Sequence, residues 1–209
     1  MARIDAPALL RPGLLEGTSM LVGGAGGAFG EGVLEACSGL SARTARCELS
    51  TAPDAERQEE EIEAAVQAAL DPGVGVLVLD VAALFARAGL SGSLQAAWSA
   101  TRTVANGGFI ADGAGGRVLL IAPAADAGRE SQAAVAGLEN LARTLSIEWA
   151  RHAITAVAIA PGSERAGDEV AALAAYLASE AGAYFSGCLL DLRGPERELG
   201  APAFPRGSA

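Results

Sequence analysis

The chain has 209 residues, of which 51% are hydrophobic, 4% are aromatic and 19% are charged. Its formal net charge of −10 argues against nucleic acid as a partner, because phosphate binding requires clustered lysine and arginine. One histidine and three scattered cysteines provide neither a metal-ligand spacing nor a disulfide framework, so we expect no metal and a reducing environment.

Neither a targeting segment nor a membrane span is predicted. Residues 1–17 lack the apolar run of a signal peptide and carry Arg3, Asp5 and Arg11. The most apolar stretch, residues 74–84, is too short to cross a bilayer and contains Asp80. We therefore expect a cytoplasmic protein.

The first predicted elements are a strand, a glycine turn and a helix. An apolar run at residues 19–22 enters the glycine-rich stretch 23–30. Helical spacing of apolar residues then continues to residue 38.

Strands and helices alternate through the rest of the chain. Further strands are predicted at residues 45–49, 74–79, 117–121, 154–159 and 187–192. Further helices are predicted at residues 54–70, 93–104, 130–150 and 168–178. Asn106, Gly107 and Gly108 are expected to break the third helix. This alternation predicts a parallel sheet covered by helices.

Three stretches in this order resemble the short-chain dehydrogenase/reductase family, from about residue 17 to residue 194. They are the glycine turn 23–30, the helical stretch 138–148, and the segment from 154 through Pro161-Gly162 to Gly187. The resemblance implies an α/β, Rossmann-like, doubly wound parallel sheet of about six strands with helices on both faces. Residues 1–16 would form a lead-in and residues 195–209 a tail.

This chain is shorter than the family pattern in two places. Only one strand–helix unit separates the first helix from the strand at 74–79, where the family has two. The segment after Pro161-Gly162 passes almost directly into the next helix, where the family inserts a loop that covers the substrate. We expect an abbreviated sheet edge and an abbreviated substrate loop.

The catalytic tyrosine and lysine of the family have no counterpart in this chain. Their positions, counted back from Leu138, are occupied by Ser131 and Val135. A serine hydroxyl titrates far too high for the proton transfer that the tyrosine performs, and valine has neither charge nor donor. The resemblance therefore implies an inactive site.

The other family positions are also changed. The serine expected after the strand 117–121 is replaced by Pro123 or Ala122, and no asparagine occurs at residues 95–98. The Asn-Asn-Ala-Gly turn expected after the strand at 74–79 reads Leu-Asp-Val-Ala at residues 79–82. No member of the catalytic set is left.

The glycine turn is the candidate binding site for a dinucleotide, because its N–H groups and the following helix N-terminus suit phosphates. Gly24, Gly26 and Gly30 are the candidate residues, and Glu48 is the candidate that would read an adenosine ribose. Ala28 replaces the middle family glycine, and its methyl group would crowd a pyrophosphate. We favour glycines that allow a tight turn and close packing, with no or weak NAD(P) binding, over tight cofactor binding.

Other polar residues offer weaker alternatives. His152 is interpreted as a surface turn residue rather than a base, and the acidic run at 56–63 as a solvated helix face rather than a cation site. Asp126, Glu130 and Ser131 are retained as a minor alternative for a different acid–base set.

The resemblance also implies a homo- or hetero-oligomer with a subunit of the same family. In the family the counterparts of helices 93–104 and 130–150 form a two-fold interface, and the last strand, here 187–192, contributes to another. Trp98 and Trp149 lie one on each of these helices; Trp149 suits an interface anchor and a core residue equally. We predict a non-catalytic subunit that assembles with an active paralogue; the alternatives are an NAD(P)-dependent oxidoreductase with a rearranged site and a nucleotide-sensing protein.

Overall fold

The structure is a computed structural model, and it describes residues 10–69, 73–163 and 165–193. The predicted tail at 195–209 and the first nine residues of the predicted lead-in lie outside these ranges.

Six parallel strands form one sheet, as predicted. The strands are β1 (Ser19–Gly23), β2 (Arg43–Cys47), β3 (Val76–Asp80), β4 (Gly116–Ile121), β5 (Ile154–Ala160) and β6 (Cys188–Asp191). Their order across the sheet is β2-β1-β3-β4-β5-β6, with every neighbouring pair parallel. The central strand β3 is buried along its whole length, because helices cover both faces of the sheet.

Five helices form the outer layers. They are α1 (Ala28–Gly39), α2 (Ala55–Ala69), α3 (Val81–Val104), α4 (Ser131–Glu148) and α5 (Gly167–Ala178). Helices α2, α3 and α4 pack on one face of the sheet, and α1 and α5 pack on the other. This is the doubly wound arrangement that the sequence predicted. Among the described residues, no helix is both long and apolar enough to cross a membrane.

The start predicted for the helix at 93–104 is wrong. Helix α3 begins at Val81, directly after β3, with Asp80 as its N-cap residue. Gly89 has φ 65° and ψ −165°, so two helical segments meet there at a kink. The break predicted at 106–108 is also wrong, because a π-helical turn at Ala105–Phe109 continues the helix.

Smaller differences concern element ends. Strand β2 lies two residues earlier than predicted, and α4 ends at Glu148 before a 3₁₀ turn at Ala150–His152. Strand β6 is an edge strand whose residues Cys188, Leu189 and Leu190 are half-buried.

Candidate functional site

The sheet order places the glycine turn beside the end of β3. The chain leaves β1 toward β2 on one side, and β3 then pairs with β1 on the other side. In open parallel sheets, ligands bind at the carboxyl ends of the strands where the order reverses. The candidates Gly24, Gly26 and Gly30 follow β1 and Glu48 follows β2, so the fold brings all four to this edge.

A buried carboxylate lies at the same place. Asp80 is fully buried, at 0% exposure, and is the last residue of β3. Its Oδ2 accepts a hydrogen bond of 2.8 Å from the backbone N–H of Gly30, in the first turn of α1. Its Oδ1 accepts one of 3.0 Å from the backbone N–H of Ala83, in the first turn of α3. One carboxylate therefore joins the N-termini of two helices, where the helix dipoles favour a negative charge.

The glycines of the turn provide the space for this carboxylate. A Cβ atom on Gly27 would lie 2.5 Å from Asp80 Oδ2 and 2.6 Å from Ala83 Cβ. A Cβ atom on Gly24 would lie 2.8 Å from the Asp80 carbonyl oxygen, and one on Gly30 3.3 Å from Oδ2. Only Gly26 has no atom within 4 Å of its Cβ position. Close packing around Asp80 therefore explains the glycines at positions 24, 27 and 30.

The geometry at Gly30 does not fit a bound pyrophosphate. The Gly30 N–H is one of the first-turn donors that a phosphate at this helix N-terminus would use, and it already donates to Asp80. It would also meet a buried negative charge. The outer part of the turn, at Gly26, is open.

Burial makes the stability of the protein depend on the protonation of Asp80. Desolvation raises the pKa of this carboxyl above its ordinary value of 3.8, and hydrogen bonds from Ala83 and Gly30 and the charge of Arg87 offset only part of the shift. The folded protein thus binds the proton more tightly than the unfolded chain. The contribution of Asp80 to stability is complete below its ordinary pKa and is lost as the pH rises through the raised pKa.

We expect this loss to appear in a comparison of wild type with Asp80→Asn. The free energy of unfolding of wild type minus that of the variant should fall as the pH rises above 3.8, because asparagine does not titrate. Urea denaturation at a series of pH values measures this difference. A difference that stays constant or rises with pH would contradict the expectation.

Glu48 lies after β2, at the ligand-binding edge where it was predicted, but its side chain is mostly exposed to solvent. Its side chain is 75% exposed, and its Oε2 is 3.9 Å from a guanidinium nitrogen of Arg87 on α3. A cleft of about 470 Å³ lies next to Arg87, between the segment that follows β2 and α3. Thr51, Gln58 and Gln95 contribute polar groups to its wall. The cleft is within the size range of small-molecule sites.

The positions that the resemblance assigns to tyrosine and lysine are core positions. Ser131 is 1% exposed, and its hydroxyl lies 3.0 Å from the Ala125 carbonyl oxygen and 2.9 Å from that of Gly128. Val135 is 6% exposed and belongs to the core between α4 and the sheet. Pro123, after β4, is also buried. These residues hold the loop and the helix in place and provide no acid or base.

The weaker alternatives are not assembled into a site. Ser131 contacts backbone carbonyls rather than the carboxylates of Asp126 or Glu130. His152 lies in the 3₁₀ turn before β5, and its Nε2 accepts a hydrogen bond from Arg151 Nε at 3.0 Å.

The acidic run of α2 is paired with arginines. A guanidinium nitrogen of Arg102, on α3, bonds to Glu59 and lies 2.6 Å from Glu63. Arg57 Nε lies 2.7 Å from Glu61. Within the described ranges, no group of three or more histidine, cysteine, aspartate or glutamate residues is arranged to hold a metal ion.

An aromatic pair lies on the outside of α3 and α4. The rings of Trp98 and Trp149 are stacked, with centroids 6.4 Å apart and planes inclined by 19°. Trp98 is 38% exposed, Trp149 is half-buried and Ile147 is 72% exposed. Trp149 is therefore not enclosed in the core. We refer to Trp98, Ile147 and Trp149 as the α3–α4 surface.

Asp80 is the residue whose role the sequence interpretation missed. The sequence marks it only as a charge within the apolar stretch 74–84 and as a changed position in the Asn-Asn-Ala-Gly turn. Its position after an otherwise apolar strand, where a helix begins at once, is the available signal, because aspartate is a preferred N-cap residue.

Solved dehydrogenases share this fold. The citronellol catabolism dehydrogenase of Pseudomonas aeruginosa has a TM-score of 0.68 and 22% identity, over 88% of this chain and 96% of that chain. A hydroxysteroid dehydrogenase of Escherichia coli has a TM-score of 0.64 and 18% identity, over 86% and 97%. An acetoin dehydrogenase of Salmonella typhimurium has a TM-score of 0.63 and 19% identity, over 83% and 93%.

Comparison at the sequence level found no matching protein family and no significantly similar curated protein. These structures are similar in fold but at most 22% identical in sequence, so they establish the fold and nothing about activity. The fold is the Rossmann-like, doubly wound α/β fold of short-chain dehydrogenases, as predicted.

Proposed function

We propose that this chain is a non-catalytic subunit with a short-chain dehydrogenase fold that assembles with an active dehydrogenase paralogue and stabilises or regulates it. The burial of Ser131 and Val135, where the family carries its tyrosine and lysine, is the observation that carries this proposal. Proton transfer to a carbonyl or alcohol oxygen requires a positioned group that titrates near the working pH. A serine held by backbone carbonyls and a core valine cannot perform it.

The α3–α4 surface supports the proposed assembly. Tryptophan is frequent among residues that dominate binding energy at interfaces, and Trp98 and Trp149 present one stacked aromatic surface. Ile147 adds an exposed apolar side chain on the same helix pair. A subunit of the same fold can use the equivalent helices to form a two-fold or pseudo-two-fold contact. The exposed edge of β6 is the second proposed contact.

Purification of the tagged chain from its native source, with mass spectrometry of the isolated complex, tests the assembly. We expect a mixed complex with a short-chain dehydrogenase. Ile147→Asp should release the partner, because it places a charge in an apolar contact while changing a side chain that is 72% exposed in the subunit. Ala64→Asp, at an exposed position of α2 beside β2 and therefore at the edge of the sheet opposite β6, should keep the complex. Recovery of the chain only alone or as a homomer would contradict the proposal.

The absence of catalysis requires a separate test. The purified chain should not oxidise NADH or NADPH with ketones, nor reduce NAD or NADP with alcohols, while the mixed complex should. Turnover by the chain alone would contradict the proposed function.

A second candidate function, favoured by the position of Glu48, is a nucleotide-dependent oxidoreductase with a rearranged site or a nucleotide sensor. Glu48 follows β2 at the ligand-binding edge of the sheet, beside Arg87 and a cleft of about 470 Å³. Calorimetric titration with NADH and NADPH tests both versions. Micromolar binding without turnover, weakened by Glu48→Gln, would favour the sensor; binding with turnover would favour the enzyme.

A further inference from the structure

The buried carboxylate of Asp80 lies at the N-terminus of α1. Asp80 Oδ2 accepts the Gly30 N–H at 2.8 Å, and Asp80 Oδ1 accepts the Ala83 N–H at 3.0 Å. The Cβ positions of Gly24, Gly27 and Gly30 all lie within 3.3 Å of an Asp80 oxygen. The turn is therefore packed around Asp80, with Gly27 and Gly30 against its carboxylate and Gly24 against its backbone carbonyl.

A ligand phosphate and this carboxylate would compete for the same environment. Both are anions, both are favoured by the partial positive charge of a helix N-terminus, and both accept backbone N–H groups. The Asp80 carboxylate is fully buried, so solvent screens its charge weakly. No cationic side chain within the described residues lies within 4.0 Å of it, although the charge of Arg87 acts on it from farther away.

We propose that Asp80 is a built-in anion that occupies the phosphate-binding end of the glycine turn and excludes the phosphates of a dinucleotide from it. The contact is autoinhibitory with respect to nucleotide binding. The inference rests on the proposed function, because a subunit that transfers no hydride can lose its cofactor without losing its role.

Two substitutions separate the charge of Asp80 from its bulk. Asp80→Asn removes the charge and keeps the size of the side chain. Asp80→Ser also removes the acceptor of the Gly30 N–H. The serine hydroxyl can still accept from the Ala83 N–H and so cap α3. Having two variants protects the test against one that does not fold, and circular dichroism with thermal denaturation identifies which of them is folded.

The experiment is calorimetric titration of the full chain with NADH at pH 7.5. Wild type should show no binding at micromolar nucleotide. Asp80→Asn should bind at least tenfold more tightly than wild type, and Asp80→Ser more tightly again. Asp112→Asn is the matched control, because it makes the same change in net charge at an exposed residue near the opposite end of the strands, and it should bind as wild type does.

Three results would overturn the inference. The first is micromolar binding of NADH by wild type that neither Asp80 variant improves. The second is the absence of binding in every folded Asp80 variant, since the carboxylate would then not be what excludes the nucleotide. The third is an equal gain for adenosine, which has no phosphate. None of these involves turnover, so failure here is distinct from failure of the proposed function.

Discussion

Replacement of Val135 with lysine is expected to lower the free energy of unfolding by about 2–4 kcal/mol. The valine is buried in the core between α4 and the sheet, so its loss removes apolar burial. The ammonium group that replaces it would be desolvated without a partner among the residues of that core, which are apolar. Introducing the lysine that the resemblance assigns to this position would thus destabilise the protein.

Chemical denaturation measures the effect, and Gln132→Lys is the matched control. Gln132 is exposed on the first turn of the same helix, so its variant should lie within about 0.5 kcal/mol of wild type. The cost of Val135→Lys should also shrink as the pH rises, because burial lowers the pKa of a lysine and stability then increases with deprotonation. An equal effect of the two substitutions would show that position 135 tolerates a charge.

Replacement of Gly24 with alanine is expected to lower the free energy of unfolding by about 2–4 kcal/mol. Gly24 has φ +75°, a conformation that costs alanine energy. The added Cβ would lie 2.8 Å from the backbone carbonyl oxygen of Asp80, which cannot move without shifting β3 and α3. The same substitution should therefore disturb the packing of the turn on Asp80.

Gly32→Ala provides a contrasting variant in the neighbouring helix α1. Its Cβ would make ordinary contacts of 3.7 Å with Ala171 and Gly167. Because glycine is costly inside a helix, this change should stabilise the protein by about 0.5–1 kcal/mol. Thermal denaturation of both variants compares them directly. Similar effects at the two positions would contradict the tight packing of the turn.

Local pattern was sufficient for most of the fold. The wholly apolar run at β3 and the helical spacing in α4 depend on residues close in the chain, so their periods are visible in the sequence. The start of α3 was missed because Gly89 and Gly92 interrupt its pattern, although the helix continues through a kink at Gly89. The turn at Ala105–Phe109 was missed because its glycines normally end a helix.

Some features of the candidate site could likewise be predicted from the sequence, and others could not. The absence of an acid or base at Ser131 and Val135 follows from residue types alone. Their burial, and the stacking of Trp98 on Trp149, depend on how α3 and α4 pack, which no local spacing specifies.

The sequence by itself determined an alternating α/β chain with a glycine turn after its first strand, and with Ser131 and Val135 where the resemblance assigns tyrosine and lysine. Only the tertiary structure decided that this turn packs against Asp80. Asp80 and Gly30 are 50 residues apart, and they meet because β3 pairs with β1 and both strands end at the same edge of the sheet. A contact of that sequence separation depends on the order of strands in the sheet, which the residues of the turn do not encode.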